Sequence, residues 1–118
     1  MTRLRSQGEP LVVWDEGGLR VARAHSCFRE LTWQVVLPEA ARLDLDAFVG
    51  RLLAAGSSEV RIMPTLRLHD VPGDHRLVIV MTTGRVELRL HYLTGAEDRC
   101  DAARAVAAWL AEAMTRGS

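Results

Sequence analysis

The sequence predicts an α+β protein, with an antiparallel sheet in the order β-β-β-α-β-β-β-α and a long C-terminal helix packed on one face. Three stretches support this prediction. Residues 76–82 are apolar at nearly every position, which is typical of a strand covered on both faces. Residues 85–92 alternate strictly between apolar and polar, which indicates a strand with one wet face. Residues 95–115 repeat apolar side chains at helical spacing.

The long helix has a predicted start and a predicted packing partner. Thr94 and Glu97 stand at capping-box spacing, so the helix is expected to begin near Gly95. We expect it to lie across the apolar face of the sheet, with its alanines allowing a close approach. Its apolar stripe consists of Ala103, Val106, Ala107, Leu110, Ala113 and Met114.

Shorter patterns define the rest of a single predicted domain, residues 1–118. Residues 1–10 are polar and are expected to form a frayed start. Asp44 is the predicted N-cap of an internal helix that stops at Gly56. The predicted strands are 11–14, 19–25, 31–37, 66–69, 76–82 and 85–92, and a further strand at about 60–62, leading into the last three, would make four after the internal helix.

Two turns predict which side chains share a face. A two-residue turn at 83–84 places Ile79 opposite Leu88, and a turn at 72–73 places Leu77 opposite Leu68. A slip of one residue would turn a whole strand over, so this register decides the composition of each face. The face predicted to meet the helix bears Leu66, Leu68, Leu77, Ile79, Met81, Val86, Leu88 and Leu90.

The opposite face is the predicted binding surface. It combines two central valines with basic, acidic and imidazole side chains, and we expect it to be the working surface of the protein. A two-fold dimer through this face would bring Arg89 near Glu87 of a second copy. The candidate binding residues are Arg67, His69, Arg76, Val78, Val80, Glu87, Arg89 and His91.

Composition excludes several classes of function. The formal net charge is zero, and there are only six aromatic residues, which argues against nucleic acid or an anionic membrane as the main partner. All 15 basic residues are arginine, so chemistry that needs a lysine is absent. The basic residues at 1–5 are not followed by an apolar segment, and no run approaches the length of a membrane span, so we expect a cytoplasmic protein.

One pair of residues has metal-ligating chemistry. His25 and Cys27 are two apart and would point the same way on a strand, as a metal corner or a Cys–His pair would require. Zinc needs three or four ligands, and this is the single close pair in the sequence. We therefore expect no metal, no cofactor and two free thiols.

Three functions are compatible with these observations. The first is a non-enzymatic interaction module or accessory subunit that self-associates, most simply as a homodimer, or binds a protein partner. The second is a ligand or anion sensor that uses the arginine- and histidine-bearing face. The third is a small enzyme of unknown reaction, for which none of the common catalytic motifs is present.

Overall fold

Seven antiparallel strands form one continuous sheet in the order β1-β2-β3-β7-β6-β5-β4. The computed structural model describes residues 11–23 and 31–116, so the predicted frayed start and the His25–Cys27 pair lie outside the described residues. The strands are β1 (Leu11–Glu16), β2 (Leu19–Arg23), β3 (Thr32–Val36), β4 (Ser58–Ile62), β5 (Leu66–Val71), β6 (His75–Val80) and β7 (Arg85–Arg89). The α-helices are α1 (Glu39–Leu43), α2 (Leu45–Ala54) and α3 (Arg99–Arg116).

The α+β architecture predicted from the sequence is confirmed. Two runs of neighbouring strands, β1 to β3 and β4 to β7, follow the chain order. They join where β3 pairs with β7, with Trp33 opposite Leu88 and Val35 opposite Val86. This long-range pairing turns two local meanders into one sheet, and it places α1 and α2 in the connection between them.

All three helices contribute to a core on one face of the sheet. Fully buried side chains of α2 and α3, such as Phe48 and Leu110, belong to the same apolar cluster as Trp33 and Leu77 of the strands. The alanine-rich side of α3 packs over β1 and β2 and against α2. Over the described ranges, none of the helices has the length and apolarity that crossing a bilayer would require.

The starts of α2 and α3 differ in how well the sequence predicted them. Asp44 caps α2 as predicted, its Oδ1 accepting a hydrogen bond from the Ala47 N–H at 3.1 Å. The predicted capping box of the last helix is wrong. A 3-10 turn over Ala96–Asp98 precedes α3, and Gly95 provides no side-chain cap. Thr94 is instead held in a turn by a hydrogen bond from its N–H to the carbonyl of His91, at 2.9 Å.

The β6–β7 turn spans four residues, Met81–Gly84, rather than two. The carbonyl of Val80 accepts hydrogen bonds from the N–H groups of Thr83 (3.3 Å) and Gly84 (2.9 Å), which closes the longer turn. The register is therefore shifted by two residues from the prediction, with Ile79 opposite Val86. An even shift keeps each side chain on its predicted face, so the faces of β6 and β7 are as expected.

The predicted register across the β5–β6 turn is wrong by one residue. Val71 pairs with His75, which leaves a three-residue loop between the strands. Compared with the predicted two-residue turn, one extra residue turns β5 over. His69 is opposite Leu77 and faces the helices, whereas Leu68 is opposite Val78 on the other face. The predicted apolar face therefore loses Leu66 and Leu68, and the predicted binding surface loses Arg67 and His69.

Candidate functional site

The face of the sheet opposite the helices is here called the open face. Cross-strand pairing arranges its side chains in three rows that run across the strands. One row contains Asp70, Arg76, Arg89 and Thr32. The middle row contains Leu68, Val78, Glu87, Gln34, Ala22 and Val12. The third row contains Leu66, Val80, Arg85, Val36 and Arg20.

Four apolar side chains are adjacent on this face and form what we call the apolar cluster. Leu68 is opposite Val78, and Leu66 is opposite Val80, on the neighbouring strands β5 and β6. Val78 is only 6% exposed, although none of the described helices covers it, because the side chains of the adjoining strands surround it. The other three members are half-buried, so the cluster presents a partly desolvated apolar surface to solvent.

Two ion pairs border the apolar cluster. The Arg76 guanidinium contacts the Asp70 carboxylate at 2.9 Å, and the Arg89 guanidinium contacts the Glu87 carboxylate at 3.3 Å. Arg76 and Arg89 are directly opposite each other on β6 and β7, so each acid offsets a repulsion between like charges. Two arginines and two acids leave this part of the face without the excess of positive charge on which the anion-sensor hypothesis relied.

His69 and Arg67 belong to a separate, buried group beneath the other face. His69 is 0% exposed, and its Nδ1 lies 3.1 Å from the Ser57 hydroxyl. Its Nε2 lies 3.9 Å from the Glu59 carboxylate, which also accepts a hydrogen bond from Arg67 at 3.2 Å. Desolvation by burial lowers the pKa of the His69 imidazole; the negative charge of Glu59 opposes this shift and the positive charge of Arg67 adds to it.

The Ser57–His69–Glu59 group has the residue types of a serine-hydrolase triad but not its access. A catalytic serine must reach a substrate carbonyl while its base holds the proton. Ser57 is only 8% exposed, and the His69 ring is wholly enclosed. The arrangement instead satisfies one polar contact within the core, between Nδ1 of the imidazole and the hydroxyl, and leaves the buried Nε2 without a hydrogen-bond partner among the described residues.

His91 lies just beyond the end of β7 and is joined to His75 rather than to His69. The His91 backbone N–H donates a hydrogen bond to Nδ1 of His75, at 2.8 Å. Nδ1 of His91 in turn accepts from the Leu93 N–H at 3.2 Å, and its ring stacks near Tyr92. Desolvation, followed by the proximity of His91, lowers the pKa of His75. The two histidines predicted to share the binding surface are therefore not on it together, since His69 is buried on the helix side and His91 lies beyond the end of β7.

Of the eight predicted binding residues, five lie together on the open face: Arg76, Val78, Val80, Glu87 and Arg89. The sequence reasoning missed Leu66 and Leu68, which the turned-over β5 adds to this surface. A signal for the three-residue loop was present in Gly73-Asp74. Both residues adopt positive φ, at 92° and 62°, which glycine and aspartate tolerate better than most residues.

The part of the chain that the structure describes contains no candidate metal-binding cluster. No group of three or more His, Cys, Asp or Glu side chains there is placed to hold an ion. Cys100 is a free, partly buried thiol on α3.

Comparison with protein-family models, curated proteins and solved structures found no match to this chain. The evidence on function therefore comes from the open face itself.

Proposed function

We propose that this protein is a non-catalytic interaction module that self-associates through the open face, as a two-fold dimer. The observation that supports the proposal is the apolar cluster of Leu66, Leu68, Val78 and Val80, which extends from the middle of β5 and β6 to one end of both strands and is left uncovered by the described helices. An antiparallel sheet with one solvated face usually alternates apolar inward and polar outward. Here β6 has apolar side chains on both faces, and β5 turns Leu66 and Leu68 outward while Arg67 and His69 point to the helix side. Apolar patches of this kind are enriched at interaction sites.

A second copy of the same chain is the occupant that the charges favour. The open face has its cations and anions side by side, in the pairs Arg76–Asp70 and Arg89–Glu87. A two-fold axis through the face puts each surface against itself, so an arginine of one copy can meet an acid of the other. A strongly acidic partner would be repelled by the two carboxylates of this surface, and a strongly basic partner by its two arginines.

The size of the face indicates which class of dimer to expect. Seven strands about 4.8 Å apart and about five residues long span roughly 29 by 17 Å. The flat area is on the order of 500 Å² per copy, smaller than the roughly 800 Å² that each partner buries in a standard interface. We therefore expect a reversible dimer rather than an obligate one, because obligate interfaces bury much larger areas.

Charge reversal on the open face provides a sharp test. Arg89→Glu makes the Glu87–Arg89 pair wholly acidic, and Glu87→Arg makes it wholly basic. Each variant alone should repel its own copy and sediment as a monomer at concentrations where the parent is a dimer. An equimolar mixture restores opposite charges across the two-fold axis and should dimerise again.

Two further variants control for folding and for added charge. Val80→Glu should also give a folded monomer, because it places a carboxylate in the apolar cluster. Leu53→Glu introduces the same charge at an exposed leucine on α2, on the other side of the sheet, and should leave the dimer intact. Circular dichroism checks the fold of each variant. A monomeric parent, or folded charge-reversal variants that associate as the parent does, would contradict the proposal.

A further inference from the structure

A cavity of about 250 Å³ lies beside the β6–β7 turn, at one end of the open face. It is bounded by β3, by α1 and by the start of β7. The lining residues that matter for its chemistry are Gln34, Val36, Leu37, Arg42, Thr83 and Arg85. None of these residues stands out in the sequence, because they come from three segments that only the β3–β7 pairing brings together.

The fold directs Arg42 and Arg85 to this cavity from different elements. α1 follows β3 almost immediately, and the Pro38 carbonyl accepts a hydrogen bond from the Arg42 N–H at 3.1 Å. The Arg42 stem then lies over the turn, with its Cγ 3.9 Å from where a side chain on Gly84 would begin. Arg85 is the first residue of β7 and borders the same cavity.

Neither guanidinium has a partner within the described residues. No ion pair or side-chain hydrogen bond there involves the side chain of Arg42 or Arg85, whereas Arg76 and Arg89 each contact a carboxylate. The one acid at the cavity, Glu87, is the acid that Arg89 engages at 3.3 Å. Two cations exposed at one small cavity, neither with a partner among the described residues, both attract an anion bound between them.

The remaining lining groups suit the rest of a small ligand. Thr83 Oγ1 accepts a hydrogen bond from the Arg85 N–H at 3.2 Å, which leaves its hydroxyl hydrogen free to donate. The Gln34 amide is a further donor, and Val36 and Leu37 provide an apolar wall. We propose that this cavity binds a small organic anion, whose phosphate or carboxylate group is held by Arg42 and Arg85 and whose short alkyl body lies against Val36 and Leu37.

Titration of the ¹⁵N-labelled protein with defined probes tests this site. The probes are butyl phosphate, butyrate, inorganic phosphate and butanol, each at concentrations on the order of 10 mM, which would reveal a dissociation constant of about 1 mM. We expect saturable shifts at Thr83, Gly84 and the arginine Nε–H groups with butyl phosphate or butyrate. Weaker binding of inorganic phosphate would show that the alkyl body contributes. Butanol should give none of these shifts.

Variants separate this site from general charge effects. Arg42→Gln and Arg85→Gln should each weaken binding of the anionic probe by at least about tenfold, since guanidinium–oxyanion contacts are charge-assisted. Arg104→Gln, which removes an equal charge from α3, should leave it unchanged. The titration is repeated on Arg89→Glu, a variant expected to be monomeric at a position outside the cavity lining, so its outcome is independent of dimerisation. Absence of saturable shifts with every anion, equal shifts with butanol, or equal loss in Arg104→Gln would overturn the proposal.

Discussion

Truncation of Leu110 to alanine tests how firmly α3 is bound to the sheet. The Leu110 side chain is fully buried in the cluster that contains Trp33, Leu77 and Leu88. Leu110→Ala removes three carbon atoms, and at about 0.8 kcal/mol per buried methylene the loss of transfer free energy is about 2.4 kcal/mol. The cavity left behind adds to this, so we expect a loss of about 2–5 kcal/mol in the free energy of unfolding.

That loss is large compared with the total stability of the domain. For 118 residues at about 0.05–0.15 kcal/mol each, the free energy of unfolding is about 6–18 kcal/mol. Urea unfolding followed by circular dichroism measures the change, and an unaltered slope with denaturant would show that the unfolded state is unaffected. The control is Leu93→Ala, which removes the same atoms from a residue that is 73% exposed.

We expect Leu93→Ala to lie within about 0.5 kcal/mol of the parent, as is usual for surface substitutions. If Leu110→Ala unfolded at the same urea concentration as the parent and as the control, α3 would not be packed on the sheet. The assignment of the open face as the free side of the sheet would then fail with it.

Three further predictions concern the buried histidines, the β5–β6 turn and the cysteines. Because burial lowers the pKa values of His69 and His75, the unfolded chain takes up protons below about pH 6.5 that the folded chain does not, so the free energy of unfolding should fall with decreasing pH. His69→Gln should reduce this dependence. Equal free energies of unfolding for the parent at pH 7 and pH 5, measured in urea, would contradict the prediction. Gly73→Ala should cost more stability than Gly17→Ala, since both glycines have positive φ but only at Gly73 would the new Cβ lie 2.8 Å from the His75 ring; equal unfolding free energies would refute the clash. The purified protein should contain no stoichiometric zinc and two thiols that react after unfolding, whereas about one zinc per chain by elemental analysis would reverse this expectation.

Much of the fold could be read from local patterns in the sequence. Period-two alternation over 85–92, the apolar run at 76–82 and the helical stripe at 103–114 each depend on neighbouring residues. They predicted these elements from local sequence alone. They also predicted which face of β6 and β7 the helices cover, because an error of two residues in the turn leaves the alternation of faces intact. Five of the eight candidate binding residues were found for the same reason.

The tertiary structure decided the features that depend on the exact number of residues in a turn or on pairing between strands distant in the chain. One extra residue between Val71 and His75 turned β5 over, which moved His69 into the core and Leu68 onto the open face. The pairing of β3 with β7 merged two meanders and brought Arg42 and Arg85 to the same cavity. Such contacts join residues far apart in the chain, where no periodic pattern links them. Sequence periodicity therefore gave each strand its two faces, and packing against the helices selected which of those faces became buried.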